Sequence, residues 1–217
     1  MKNIKACLFD LDGVIVDTAK YHFLAWKQLA EDLKIDFTEA HNELLKGVSR
    51  MRSLDIILEL GKKTLNEEQK IAYADKKNNI YLSWILKMEK NEILPGVRSF
   101  ISELKNNHIL VALGSASKNT GLILQKLEIE DLFDAVVDGN QVTKAKPDPE
   151  VFLKGAEALK VSPDACVVFE DAIAGIEAAK NAGMFCVGVG DKNTLKAADL
   201  VIPGFEHFRL ENLIGSM

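Results

Sequence analysis

Phe9-Asp10-Leu11-Asp12-Gly13-Val14-Ile15-Val16-Asp17-Thr18 closes a short apolar run that begins at Ile4, and its first glycine marks a turn. An apolar run of that length ending at a turn predicts a buried strand. Asp10 and Asp12 are one residue apart, which in extended backbone puts both side chains on the same face. In open α/β sheets the carboxyl ends of the strands form the edge where ligands bind. Two acids set there suit phosphoryl chemistry: one carboxylate attacks phosphorus and the other moves a proton at the oxygen that leaves or enters. Taken alone, Asp-x-Asp before a glycine also describes two solvated turn acids.

Similar apolar runs recur at Ile109 to Leu113, Ala135 to Val137, Cys166 to Phe169, Phe185 to Val189 and Leu200 to Ile202. Continuous apolar runs, not alternating ones, are what strands buried on both faces of a parallel sheet show. Helical periods lie between most of them, with Val97, Phe100, Ile101 and Leu104 on one face and Ile173, Ile176 and Ala179 on another. Strand and helix in alternation predict an α/β fold with a doubly wound, Rossmann-like parallel sheet. From Val14 to Leu94 the alternation stops; Met51, Leu54, Ile57 and Leu58 mark a helix face and no strand run occurs. The expected division is therefore a core of residues 1–14 and 95–217 and an inserted helical domain of residues 15–94, with Gly13 and Pro95-Gly96 at the junctions.

Composition narrows the class. The chain has 217 residues, 47% hydrophobic and 27% charged, with a formal charge of −5, and its Lys and Arg are scattered. That is globular and offers no basic surface for nucleic acid or lipid headgroups, so any bound anion is held by local groups. Cys7, Cys166 and Cys186 each sit in an apolar run without metal-ligand spacing, as core-filling thiols in a reducing compartment do. No segment has the length of a membrane span, and no cleavable leader pattern precedes Ile4, so a cytoplasmic protein is expected.

Three further motifs stand at the ends of predicted strands: Gly114-Ser115-Ala116-Ser117-Lys118-Asn119, Lys144-Ala145-Lys146-Pro147-Asp148-Pro149, and Phe169-Glu170-Asp171-Ala172. Together with the first motif, and in this order, they resemble the four signatures of the haloacid dehalogenase superfamily. The resemblance covers the whole chain outside the insertion. It implies that Asp10 is a phosphoryl-carrying nucleophile, Asp12 a general acid and base, Ser115 a donor to a phosphoryl oxygen, and Lys146 a cation against phosphate and Asp10. It also implies one Mg2+ held by Asp10, the backbone carbonyl of Asp12, Glu170 and Asp171, hard oxygen donors of the kind that ion takes. In isolation, Ser115 also reads as a helix cap and Lys146 as a solvated lysine.

Within the insertion, Thr18-Ala19-Lys20-Tyr21-His22-Phe23-Leu24-Ala25-Trp26 and Leu45-Lys46-Gly47-Val48-Ser49-Arg50 resemble cap segments of the β-phosphoglucomutase family, as does Ser115 to Asn119 in the core. That likeness implies a mutase, an isomerase working through glucose 1,6-bisphosphate, which also serves as the phosphorylating activator. Thr18 and His22 would act with the catalytic set. The phosphosugar would be held by Trp26, Lys46, Gly47, Val48, Ser49, Arg50, Lys77, Asn78, Ala116, Ser117, Lys118 and Asn119. Arg50 offers a bidentate fork for a second phosphate. Simpler readings remain for the cap: Ser49 as a helix N-cap, and Lys77 with Asn78 on a charged helix face. Met51-Arg52 departs from the family, where acids are expected, and adds positive charge. A phosphosugar is the expected substrate and a monomer the expected state, with no nucleic-acid or membrane partner. The alternatives are a sugar-phosphate phosphatase with the same nucleophile and a non-catalytic phosphosugar-binding protein.

Overall fold

The computed structural model describes residues 4–45 and 48–217. By its contacts the chain separates into two compact units, Met1–Asp17 with Glu89–Met217, and Thr18–Met88. The first is built on six parallel strands: β1 (Ala6–Phe9), β2 (Leu110–Gly114), β3 (Ala135–Val137), β4 (Cys166–Glu170), β5 (Phe185–Val189) and β6 (Leu200–Ile202). Their order is β3-β2-β1-β4-β5-β6, so β1 lies centrally between β2 and β4. The order reverses around β1, and the crevice at its carboxyl end is the ligand position of such sheets.

Both faces of the sheet are covered, which is why its strands read as unbroken apolar runs. On one face Ala6, Leu8, Ala112, Cys166 and Val168 pack with Phe152, Ala156 and Leu159 of α7 (Glu150–Leu159) and Ile176, Ala178 and Ala179 of α8 (Ile173–Asn181). On the other face Phe9 stacks on Phe169 at 4.7 Å between ring centroids, and Phe100 of α5 (Val97–Asn106) meets both. Truncating one such fully buried ring to alanine costs about 3–5 kcal/mol, a large share of a domain's net stability. The four residues expected on the α5 face are all buried there. On α8, Ile176 and Ala179 are buried, but Ile173, the first residue of the helix, is 54% exposed.

The second unit holds four helices among the described residues: α1 (Ala19–Asp32), α2 (Glu39–Glu43), α3 (Arg50–Leu60) and α4 (Glu67–Ile85). Its core gathers Trp26, Leu29, Ala30, Leu33, Ile35 and Phe37 with Leu54, Ile57, Leu58 and Ala74. Met51, expected on the same face as Leu54 and Leu58, is 37% exposed, since it lies in the first turn of α3 and overhangs that core. Asn66 caps α4 through a reciprocal box with Gln69. Such a cap is typically worth about 1 kcal/mol. The remaining helices are α6 (Thr120–Leu127) and α9 (Leu210–Ile214), both in the sheet unit. No described helix is long and apolar enough to cross a membrane.

Candidate active site

Asp10 is the residue after β1, and its backbone N–H still donates to Phe169 across the sheet at 3.0 Å. The chain then turns through Gly13, whose φ of +78° only glycine adopts without strain. A Cβ on Gly13 would also stand 2.2 Å from Asp171 Oδ2, so this turn must be bare for the acid after β4 to approach β1. The Asp12 N–H folds back and donates to Asp10 Oδ2 at 3.0 Å, fixing the first carboxylate. Asp12 itself is half-buried.

One cation reaches two of the acids. Lys146 Nζ donates to Asp10 Oδ1 at 2.5 Å and to Glu170 Oε1 at 2.7 Å, and the lysine is only 4% exposed. The other Glu170 oxygen accepts from Ala172 N–H at 2.7 Å. Gly175 of α8 makes room for that carboxylate: a Cβ there would lie 1.8 Å from Glu170 Oε1. Burial works to lower Lys146, but Asp10 and Glu170 together outweigh it and hold the ammonium above its ordinary range. For Asp10 burial is the largest influence and raises it; Lys146 pulls down, Glu170 pushes up, and the carboxyl is held at about 6 instead of 3.8. Asp10 is thus ionised at neutral pH.

Asp10, Glu170 and Asp171 each offer a carboxylate oxygen, all within 4.8 Å of one another. Three hard anionic donors converging at this spacing, Asp171 half-buried, fit Mg2+, which binds carboxylates and keeps further places for water and phosphate oxygens.

Ser115 follows β2 directly and is 1% exposed; its hydroxyl accepts from Ser117 N–H at 3.1 Å. Ser117 in turn accepts from Asn119 N–H at 3.2 Å, opening α6. Ala116, Ser117 and Asn119 are half-buried in this turn and Lys118 is exposed. The loop carrying Lys146 has a support that the sequence did not advertise. Glu150 Oε2 accepts from Thr143 N–H at 2.9 Å, Thr143 Oγ1 at 3.0 Å and Lys144 N–H at 2.7 Å. Lys154, whose bond to Glu150 is the largest influence, and these donors hold Glu150 at about 2.

Within the Thr18–Met88 unit the structure brings three of the nominated residues together. His22 and Trp26 lie one turn apart on α1, and Lys77 projects from α4, which packs on it. Lys77 Nζ is 2.7 Å from His22 Nδ1 and 4.8 Å from the Trp26 ring centre. An ammonium only donates, so Nδ1 accepts and the neutral imidazole carries its proton on Nε2. Burial first, then the charges of Lys77 and Arg50, keep His22 well below its usual range, in agreement with a neutral ring. Ser49 caps α3 by accepting from Arg52 N–H at 3.3 Å, which places Arg50 at the first helical position, partly exposed. Thr18 is buried, and Val48 and Asn78 are half-buried. Lys46 and Gly47 lie outside the described residues.

A model of the haloacid dehalogenase-like hydrolases matches residues 4–183. The chain belongs to the haloacid dehalogenase-like hydrolase family. Among its relatives in that family, β-phosphoglucomutase of Bacillus subtilis is 47% identical, over 97% of this chain and 94% of that one. A phosphorylated carbohydrates phosphatase of Thermotoga maritima is 36% identical, over 83% and 82% respectively. The crystal structure of β-phosphoglucomutase from Clostridium difficile superposes with a TM-score of 0.94 at 46% identity, covering 98% of this chain and 96% of that one. Mg2+ dependence follows from the family and the carboxylate set.

Proposed function

We propose that this chain interconverts β-glucose 1-phosphate and glucose 6-phosphate through a phosphorylated Asp10 and a glucose 1,6-bisphosphate intermediate. The observation that carries the reading is the near-full-length likeness to β-phosphoglucomutase, joined to a nucleophile–lysine–acid cluster of the right composition. In the first half-reaction the 6-hydroxyl of β-glucose 1-phosphate attacks the phosphorus on Asp10 while Asp12 takes its proton. The bond from phosphorus to the Asp10 oxygen breaks, leaving the bisphosphate. After the bisphosphate turns round, Asp10 attacks the 1-phosphate, Asp12 returns the proton to the departing sugar oxygen, and glucose 6-phosphate leaves with Asp10 phosphorylated again.

Ser115 and Lys146 bind the transferring phosphoryl oxygens, where preorganised donors and cations lower the barrier most. Asp10, Glu170, Asp171 and the Asp12 carbonyl would hold Mg2+, which offsets the negative charge of phosphate against the acids. Arg50 takes the phosphate remote from Asp10, with Ser117, Lys118 and Asn119 as further phosphate donors. His22, with Nε2–H as its free donor, Lys77, Asn78 and Trp26 order the sugar end. Thr18 supports the segment leading into α1. Glucose 1,6-bisphosphate supplies the first phosphoryl group to Asp10.

The test incubates the protein with β-glucose 1-phosphate, Mg2+ and trace bisphosphate, and follows glucose 6-phosphate beside free phosphate. Isomerisation well in excess of phosphate release is expected. Stoichiometric phosphate release would instead favour the second reading, a sugar-phosphate phosphatase, to which the 36% identical relative lends support.

A further inference from the structure

We propose that Tyr81 is a positioning residue for the phosphosugar site, setting Lys77 and His22 through the faces of its ring; the assignment rests on the mutase reading above. Lys77 and Tyr81 are one turn apart on α4, as His22 and Trp26 are on α1, so the two helices pair two residues against two. The Tyr81 ring centre lies 4.1 Å from that of His22 and 4.7 Å from Lys77 Nζ. Trp26 meets the same ammonium at 4.8 Å. Lys77 is therefore boxed between two aromatic rings while it donates to His22 Nδ1.

Removing an ammonium from water is costly, and Lys77 is only 2% exposed. Two ring faces within about 6 Å offset part of that cost, and desolvated cation–π contacts are among the stronger of their kind. Tyr81 is also fully buried, so its ring cannot swing away from this task. One side chain thus borders two groups assigned to substrate.

Two variants separate ring from volume. Tyr81→Phe keeps both ring faces; Tyr81→Leu keeps apolar bulk and loses them. The expected result for Tyr81→Leu is a mutase kcat/KM lower by about 5- to 30-fold, mostly through KM, the range a desolvated cation–π contact spans. Its His22 side-chain nitrogens should move in 15N NMR from one protonated and one accepting nitrogen toward an averaged tautomer pair. Tyr81→Phe should stay within about threefold of wild type, with the His22 signals unchanged. Phosphorylation of Asp10 by acetyl phosphate should be unaffected in both.

The assignment is overturned if Tyr81→Leu matches wild type in kcat/KM and His22 signals. It is equally overturned if Tyr81→Phe loses as much as Tyr81→Leu, or if Asp10 phosphorylation falls in parallel, which would mark general damage to the fold. A wild-type protein without mutase turnover would sink the mutase reading instead. The His22 comparison needs no substrate, so in that case it still decides whether Tyr81 sets the Lys77–His22 pair.

Discussion

Replacing Asp10 by asparagine keeps the shape of the side chain and removes a titrating group, and it should end turnover while relieving a cost in the metal-free fold. Burial above all, with Glu170 adding to it, outweighs Lys146 and holds this carboxyl at about 6 instead of 3.8. A carboxyl raised in the folded state supplies stability that is complete below 3.8 and is lost as pH rises through about 6. The interval between the two values, at about 1.4 kcal/mol per tenfold change in proton affinity, comes to about 3 kcal/mol. Roughly 2 kcal/mol of that should fall between pH 4.5 and 7.5. Urea unfolding of wild type and Asp10→Asn, both stripped of divalent cations, reads the difference directly. Wild type should lose about 2 kcal/mol relative to the variant across that window, or roughly 4–8 °C in melting temperature. Saturating Mg2+ should oppose the trend in wild type, because it binds the ionised carboxylate and stabilises by mass action. A difference that does not change with pH in metal-free protein refutes the argument from burial. More than a few per cent of residual turnover, in a sample checked for deamidation, refutes Asp10 as the nucleophile.

Four other outcomes are expected. Gly175→Ala should raise the Mg2+ concentration needed for Asp10 phosphorylation by about 10- to 100-fold, since its Cβ displaces the Glu170 carboxylate; helix propensity alone favours alanine here and predicts no such loss. Glu150→Ala should cut mutase kcat by roughly tenfold with KM little changed, by loosening the loop that carries Lys146, and Glu150→Gln, whose amide oxygen still accepts the three bonds, should fall between. Chelation should stop turnover, Mg2+ restore it and Ca2+ restore it poorly, as its larger and looser shell spoils in-line geometry; full activity in chelator would contradict the roles given to Glu170 and Asp171. Arg50→Ala should lose mutase efficiency by about 10-fold or more and leave acetyl phosphate attack on Asp10 nearly intact; equal losses in the two rates would remove Arg50 from the remote phosphate.

The sheet was legible because a strand buried on both faces leaves an uninterrupted apolar run, and all six such runs are strands. The acids and Lys146 could be nominated because each stands at the end of such a run or beside a proline. What the sequence could not show is that Lys146 divides itself between Asp10 and Glu170, partners 136 and 24 residues away. Ile173 and Met51 fall on apolar helix faces by spacing alone, and both lie in the first turns of their helices, where they stay exposed. Glu150 was overlooked because an acid at the first helical position after Pro149 is explained by the helix dipole. Tyr81 was overlooked because a tyrosine on an apolar face is usually core; the signal was its spacing of four from Lys77, matched by His22 and Trp26.

The central place of β1 bears on how the chain is made. Its neighbours come late, β2 beginning at Leu110 and β4 at Cys166. At about 5–20 residues per second, β1 spends on the order of 5–20 s outside the ribosome before either partner exists. An apolar strand with free edges is prone to pair with other chains, so that delay is the hazardous stage of biogenesis. The helices of Thr18–Met88 make largely local contacts and can form meanwhile. The strand leading to Asp10 therefore waits long for both of its neighbours, and a chain released before Cys166 would present Ala6-Cys7-Leu8-Phe9 with one edge bare to whatever holdase reaches it first.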